Sequence, residues 1–298
     1  MRRIFAKSFP AASSAFLAVD IGGTKLAVGV VTVDGELVAR SQVPTPEHDV
    51  WGALSSLVQE QMDTTSCNLV ACGVGSGGPM TRGGKLVSTL HIPEWRNFPL
   101  QSKLKQLTGH DTYIYNDAQA LVLGEQWQGA AQGERNVIGM VVSTGVGGGI
   151  ISDGVLLRGR LGNAGHIGHV IVEPNGRPCA CGSRGCLEAY ASGRSIAAII
   201  GMPAVNASLD VIEHVGLLVG RALVSVAAIL DSHLAVIGGS VALGYGAPFF
   251  ASAQREIDEY AGLGFITGFR VIPAGLGDAA PLIGAAAVAK HGREHDDE

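Results

Sequence analysis

This sequence carries little charge. Asp, Glu, Lys and Arg together make up 16% of its 298 residues, the net charge is −5, and no block of Lys and Arg occurs. Neutralising a phosphate backbone takes clustered cations, so nucleic acid is disfavoured as the main partner. No apolar run is expected to span a bilayer; the best stretch, Ala222 to Leu230, is bounded by Arg221 and Asp231. The P-loop pattern GxxxxGK[ST] is absent, so any phosphate site is built another way. Cysteine is scarce as well. Of five, Cys67 and Cys72 read as small buried apolar residues, whereas Cys179, Cys181 and Cys186 crowd into eight positions. In a cytoplasmic chain such crowding points to a metal rather than to disulfides.

Apolar residues are plentiful, at 47%, enough for a large buried core. The opening stretch MRRIFAKSFPAASSAFLAVD resembles a signal peptide superficially. Its apolar part runs straight into Asp20, so residues 1–14 are expected to be a loose extension. The closing HGREHDDE is expected to be a solvated tail.

Glycine, at 43 residues, falls in turns beside β-branched runs. FLAVDIGGTKLAVGVVTVDGELVAR reads as a three-stranded meander, and VIGMVVSTGVGGGIISDGVLLRG repeats its plan of strand, Gly turn with Thr, strand and Asp-Gly. Helices are expected over 50–61, 101–108, 118–128, 195–200, 217–230 and 281–290, with buried strands at LVACGVGSGGP, TYIYND and HLAVIGGS. Alternating strands and helices give an α/β architecture. The expected domains are an N-terminal lobe over 1–119, a C-terminal lobe over 120–280 and a terminal segment over 281–298 whose helix packs back on the first lobe.

Each motif carries chemistry. In Asp20-Ile-Gly22-Gly23-Thr24-Lys25, backbone amides without an intervening Cβ can approach phosphate oxygens, with Thr24 and Lys25 as added donors. Asp20 at a strand end can hold Mg²⁺ through water. A second turn, Ser143-Thr144-Gly145-Val146-Gly147, offers the same cradle. Alone, each reads as an ordinary hairpin; together they suit one triphosphate. Gly239, after a buried strand, resembles the adenosine-binding turn of actin-like sugar kinases, although a plain strand-to-helix turn would use the same residue. In Asn116-Asp117 the carboxylate is placed to take a proton from an attacking alcohol, although an Asx helix cap would use the same residues. His169, Cys179, Cys181 and Cys186 supply the one-imidazole, three-thiolate set of a closed structural zinc site.

DIGGTK, ND, STGVGGG, GHIGH and CxCGxxGCxE, in this order, resemble the ROK family (repressors, open reading frames and kinases) over residues 16 to about 290. The resemblance implies a two-lobed actin-like, ribonuclease H-like sugar kinase fold with a zinc-binding loop, ATP with Mg²⁺ as phosphoryl donor, and Asp117 as base. It implies contacts to the sugar from Gly77, Gly78, Asn116, His166, His169 and Glu188, and a pocket completed by the loop from Ser88 to Trp95. It also implies a homodimer or larger assembly. Many ROK glucokinases carry Glu where this chain has His166. A carboxylate repels the carbonyl of an N-acetyl group, whereas an imidazole N–H donates to it. His166, NDAQA and CLEAYASGRSIAA are similar to bacterial N-acetylmannosamine kinases. The expected reaction is therefore 6-phosphorylation of N-acetyl-D-mannosamine in sialic acid breakdown, with glucokinase or a broad hexokinase as the alternative. A sugar-sensing repressor of the same family is less expected. Both phosphate turns are intact, and Asp20 leaves no room before it for a winged helix-turn-helix.

Overall fold

Alternation of side chains along one strand builds two of the cores. In the computed structural model, which describes residues 2–6, 13–89 and 91–295, the strand Ser14–Ile21 buries Leu17, Val19 and Ile21 in one cluster and Phe16 and Ala18 in another. Successive side chains of a strand face opposite sides of the sheet. A near-continuous apolar run therefore needs cover on both.

The elements in chain order are β1 Arg2–Ala6, β2 Ser14–Ile21, β3 Lys25–Thr32, β4 Leu37–Pro44, α1 Val50–Thr64, β5 Asn68–Ser76, α2 Leu100–Thr108, β6 Thr112–Asn116, α3 Asp117–Gln128, β7 Val137–Val142, β8 Val146–Ser152, β9 Val155–Leu156, α4 Glu188–Ala191, α5 Gly193–Ile200, α6 Leu209–Leu230, β10 Leu234–Gly238, α7 Ser240–Tyr245, α8 Ala247–Tyr260, β11 Arg270–Pro273 and α9 Ala280–His295. They form two compact units. The first holds residues 1–128, 158–163 and 276–298; the second holds 129–157 and 164–275.

The first sheet has the order β1-β4-β3-β2-β5-β6 and the second β11-β10-β7-β8-β9. In each, a three-stranded antiparallel meander is extended by two parallel strands joined to its first member. The repeat seen in the sequence is thus a repeat of topology. In the first unit, α1, α2 and the buried Trp95 cover one face. The alanine-rich side of α9, with Leu282, Ala285, Ala286 and Ala289, covers the other. The second unit has one large cluster, which holds side chains of α6, α8, β7 and β10, with α6 packed against α8.

Several expectations are corrected by these contacts. The domain boundary near 119 cuts through α3, which continues to Gln128 within the first unit. Its place beside α9 depends on a close approach: a Cβ on Gly124 would lie 2.9 Å from Gly284 Cα. The extension expected to be loose contains β1, which pairs antiparallel with β4 and gains its order from that edge; residues 1 and 7–12 lie outside the described residues. Helix α6 begins at Leu209, eight residues before the expected start. At 22 residues it is long and apolar enough to cross a membrane by length and composition, and half of its apolar window is buried inside the protein. Helix α8, with an apolar face of Phe249, Ala253 and Ile257, was not among the expected helices.

The expected tail is also different. Helix α9 runs through His295, and His291 is buried, with its Nδ1 3.1 Å from the Tyr115 hydroxyl; residues 296–298 lie outside the described residues. The His291 Nε2 is buried without a hydrogen-bond partner. Burial, helped by the charges of His295 and Arg158, pushes this imidazole down to about 4 from 6.5, with Glu294 opposing. A group charged more easily when unfolded gives stability that is complete above pH 6.5 and lost as pH falls through about 4. The loss is on the order of 3 kcal/mol. Denaturant titrations at pH 7, 5.5 and 4 should therefore show a shallower acid decline for His291→Phe than for the wild type. An equally steep decline would remove His291 as the cause.

Candidate functional site

In the first unit, three parallel strands end in one row. Ile21 of β2, Ser76 of β5 and Asn116 of β6 are register partners, and Asp20 is level with Gly75. The carboxyl ends of parallel strands are where open α/β sheets place ligands, because the chain turns away and exposes backbone groups. Asp117 stands one residue beyond the row, at the start of α3. The Ala118 amide donates to Asp117 Oδ1 at 2.8 Å and to Asn116 Oδ1 at 3.1 Å, so the pair does serve the helix start as well. Gly78 lies against Asn116: a Cβ there would be 3.7 Å from Nδ2. A Cβ on Gly77 would meet open space.

Burial pushes the Asp20 carboxyl up to about 7; Lys25 pulls it down and the Asp117 charge pushes it further up. Asp20 and Asp117 therefore share one electrostatic environment. A carboxylate raised in this way is ready for a cation, whose charge would restore its ionised form. The adjoining turn is tight. The Gly22 amide donates to Lys25 O at 3.0 Å, which leaves Gly23, Thr24 and Lys25 as its exposed tip. Gly22 therefore closes the turn, and its own N–H is spent there. Against that tip lies His91, a residue the sequence reading did not single out. A Cβ on Gly23 would come 2.5 Å from His91 Cβ. The loop carrying it is fixed by Trp95, stacked on Phe98 at 4.4 Å, and by Glu94, whose carboxylate accepts from the Val50 amide at 2.7 Å; Leu90 lies outside the described residues.

In the second unit, the turn Ser143–Gly145 joins β7 to β8 and leaves Thr144 exposed. Ser143 Oγ is 3.0 Å from Ser240 Oγ, just past Gly239, so within this unit the Ser143–Gly145 turn and the Gly239 turn meet. Gly147 lies in β8 rather than in the turn. The next residue explains the glycine run. A Cβ on Gly148 would come 2.6 Å from Gly165 O, so the segment carrying His166 and His169 can lie directly on β8. The His166 and His169 rings are 5.9 Å apart. Glu188, at the start of α4, accepts from the Val146 amide at 2.9 Å.

The ligand atoms of His169, Cys179, Cys181 and Cys186 all lie within 4.8 Å of one another. His169 Nδ1 is 3.8 Å from Cys179 Sγ, and Cys181 Sγ is 3.7 Å from Cys186 Sγ. A tetrahedral zinc with bonds of about 2.3 Å to sulfur sets neighbouring sulfurs roughly 3.8 Å apart, so the donor set fits. Burial pushes the Cys186 thiol up to about 12 and also raises Cys179, whereas a backbone hydrogen bond at Ser183 lowers Cys181. The Cys179 and Cys186 thiols thus need a cation before they ionise near neutral pH.

The ROK family model matches residues 16–292. The chain belongs to the ROK family. Among its ROK relatives, a glucokinase of Thermotoga maritima is 30% identical over 92% of this chain and 96% of that protein. An N-acetylmannosamine kinase of Citrobacter koseri is 37% identical over 77% of this chain and 84% of that protein. The ROK glucokinase of Streptomyces griseus, solved in complex with glucose and AMPPNP, superposes with a TM-score of 0.79 at 31% identity, covering 93% of this chain and all of that one.

For the Cys₃His group of this ROK chain, metal analysis of the purified protein should find one zinc per chain. Cys186→Ser should lose it and lower the melting temperature. Zinc-free wild-type protein of unchanged stability would exclude the metal reading.

Proposed function

We propose that this ROK protein is an ATP-dependent sugar kinase whose preferred acceptor is the 6-hydroxyl of N-acetyl-D-mannosamine. The observation that carries the reading is the strand-end row of the first unit, which sets Asp117 and Asp20 in one electrostatic environment beside the Gly23–Lys25 tip. Asp117 accepts the proton of the 6-hydroxyl as its oxygen attacks the γ-phosphorus of ATP. The bond from that phosphorus to the β,γ-bridging oxygen breaks, and ADP leaves with the electron pair. Asn116, Gly77 and Gly78 position the sugar at the same strand ends. Gly23, Thr24, Lys25, Thr144 and Gly145 receive phosphate charge in this proposal, and Gly239 takes the nucleoside side. Asp20 is the residue placed to hold Mg²⁺, which supplies charge neutralisation when bound.

His166, His169 and Glu188 read the sugar in this proposal. An imidazole N–H at position 166 can donate to the N-acetyl carbonyl. The 37% identity to an N-acetylmannosamine kinase supports this acceptor. Glucose is the second reading, favoured by the glucokinase relative that matches 92% of this chain. ATP as donor fits a cytoplasmic enzyme, acting as a homodimer or larger assembly with neither nucleic acid nor membrane as partner.

A coupled assay of ADP release across N-acetylmannosamine, N-acetylglucosamine, glucose and mannose tests the reading. N-acetylmannosamine should give the highest kcat/KM, and no release with any of them would end it. Asp117→Ala should lower kcat by at least roughly 100-fold, as loss of a general base does, with sugar affinity largely kept. His166→Glu should move preference toward glucose; an unchanged sugar ranking would refute the role given to His166.

A further inference from the structure

The two ends of the Ser143–Gly145 turn are held by one short segment. At one end the Val146 amide donates to Glu188 Oε2 at 2.9 Å; at the other, the Gly193 amide donates to Ser143 O at 2.7 Å. Glu188 also packs beneath the turn, since a Cβ on Gly145 would come 3.1 Å from Oε2. The segment is stiff. Helix α4 fills most of it, the Ser192 hydroxyl caps α5 by accepting from the Ser195 amide, and Ala189, Ala191 and Ser192 are buried. It starts two residues after Cys186, and Leu187 between them is fully buried, its amide donating to Val170 O one residue past His169.

We infer that Glu188 is a positioning residue for the nucleotide turn, and that segment Glu188–Gly193 transmits the order of the Cys₃His loop to that turn. The inference rests on the reading of Ser143–Gly145 as part of the nucleotide site and goes beyond the sugar contact assigned to Glu188. An amide at the base of a three-residue turn has few ways to be satisfied. A carboxylate held there by a buried helix start fixes the turn before nucleotide arrives, so less conformational entropy is lost on binding. Without Glu188, Val146 N–H must find water, and the turn loses one of its two anchors.

The test is calorimetric titration of AMPPNP into full-length, metal-loaded protein, without sugar. Glu188→Ala should bind it roughly tenfold more weakly, as loss of one charge-assisted hydrogen bond implies, with metal content unchanged. Glu188→Gln keeps an oxygen for the Val146 amide and should stay within about threefold of wild type. Chelator-treated wild type should lose nucleotide affinity along with its metal. Glu188→Ala binding like wild type, Glu188→Gln binding as poorly as Glu188→Ala, or metal removal without effect on nucleotide would each overturn the inference. The kinase reading fails separately, through a wild type that binds no nucleotide at all.

Discussion

Backbone pairing between β2, β5 and β6 is the constraint from which the first half of the site follows. Parallel strands in fixed register must end together, and here the ends carry Ile21, Ser76 and Asn116. A slip of one residue would turn Asp20 to the opposite face and exchange the Leu17–Val19–Ile21 core for Phe16 and Ala18. The apolar contents of both faces therefore protect the register, and the register places the carboxylate. Asp20 carries the strain of this arrangement. Its burial disfavours the charge, and Asp117 disfavours it further, with Lys25 as partial compensation. A site that leaves like charges together only partly neutralised is suited to a ligand that brings cations and phosphates with it.

The second unit solves the complementary problem by layering loops. Its meander supplies the Ser143–Gly145 turn, and each loop that follows is laid on an earlier one. The Gly165–His169 segment lies on Gly148, and the helix start at Glu188 closes on Val146. The Cys₃His cluster lies between those two segments in sequence and joins them through His169 and Cys186. A structural metal there would hold short, glycine-rich loops that share a small cluster of Cys179, Cys186 and Ala189. Arg221 adds a second tie. It binds Glu173 at 2.9 Å and Glu256 at 3.0 Å, so the loop before the cysteines is fastened to α6 and α8.

The glycine run at 147–149 shows how one motif can serve two purposes. Its phosphate reading attaches to the turn, where Thr144 is exposed and a Cβ on Gly145 would meet the Glu188 carboxylate rather than backbone. Gly148 instead answers a packing demand, because another stretch of chain crosses its strand. Likewise Asn116 and Asp117 both contact the Ala118 amide, so capping and chemistry are compatible uses of the same pair.

The sequence by itself determined the α/β class, the repeated meander, the Cys₃His quartet and the motif order that marks the ROK family. All of these are local: turns need glycine within a few positions, and the thiolates lie in one loop. Only the tertiary structure decided that α3 belongs with α9, that β1 finds an edge on β4, that His291 is buried under Tyr115, and that His91 lies on Gly23. Each joins residues far apart in the chain, and which distant surface covers a small residue is set by how whole elements pack. The pairing of Glu188 with Val146 is of the same kind, since 42 residues separate a carboxylate from the amide it completes.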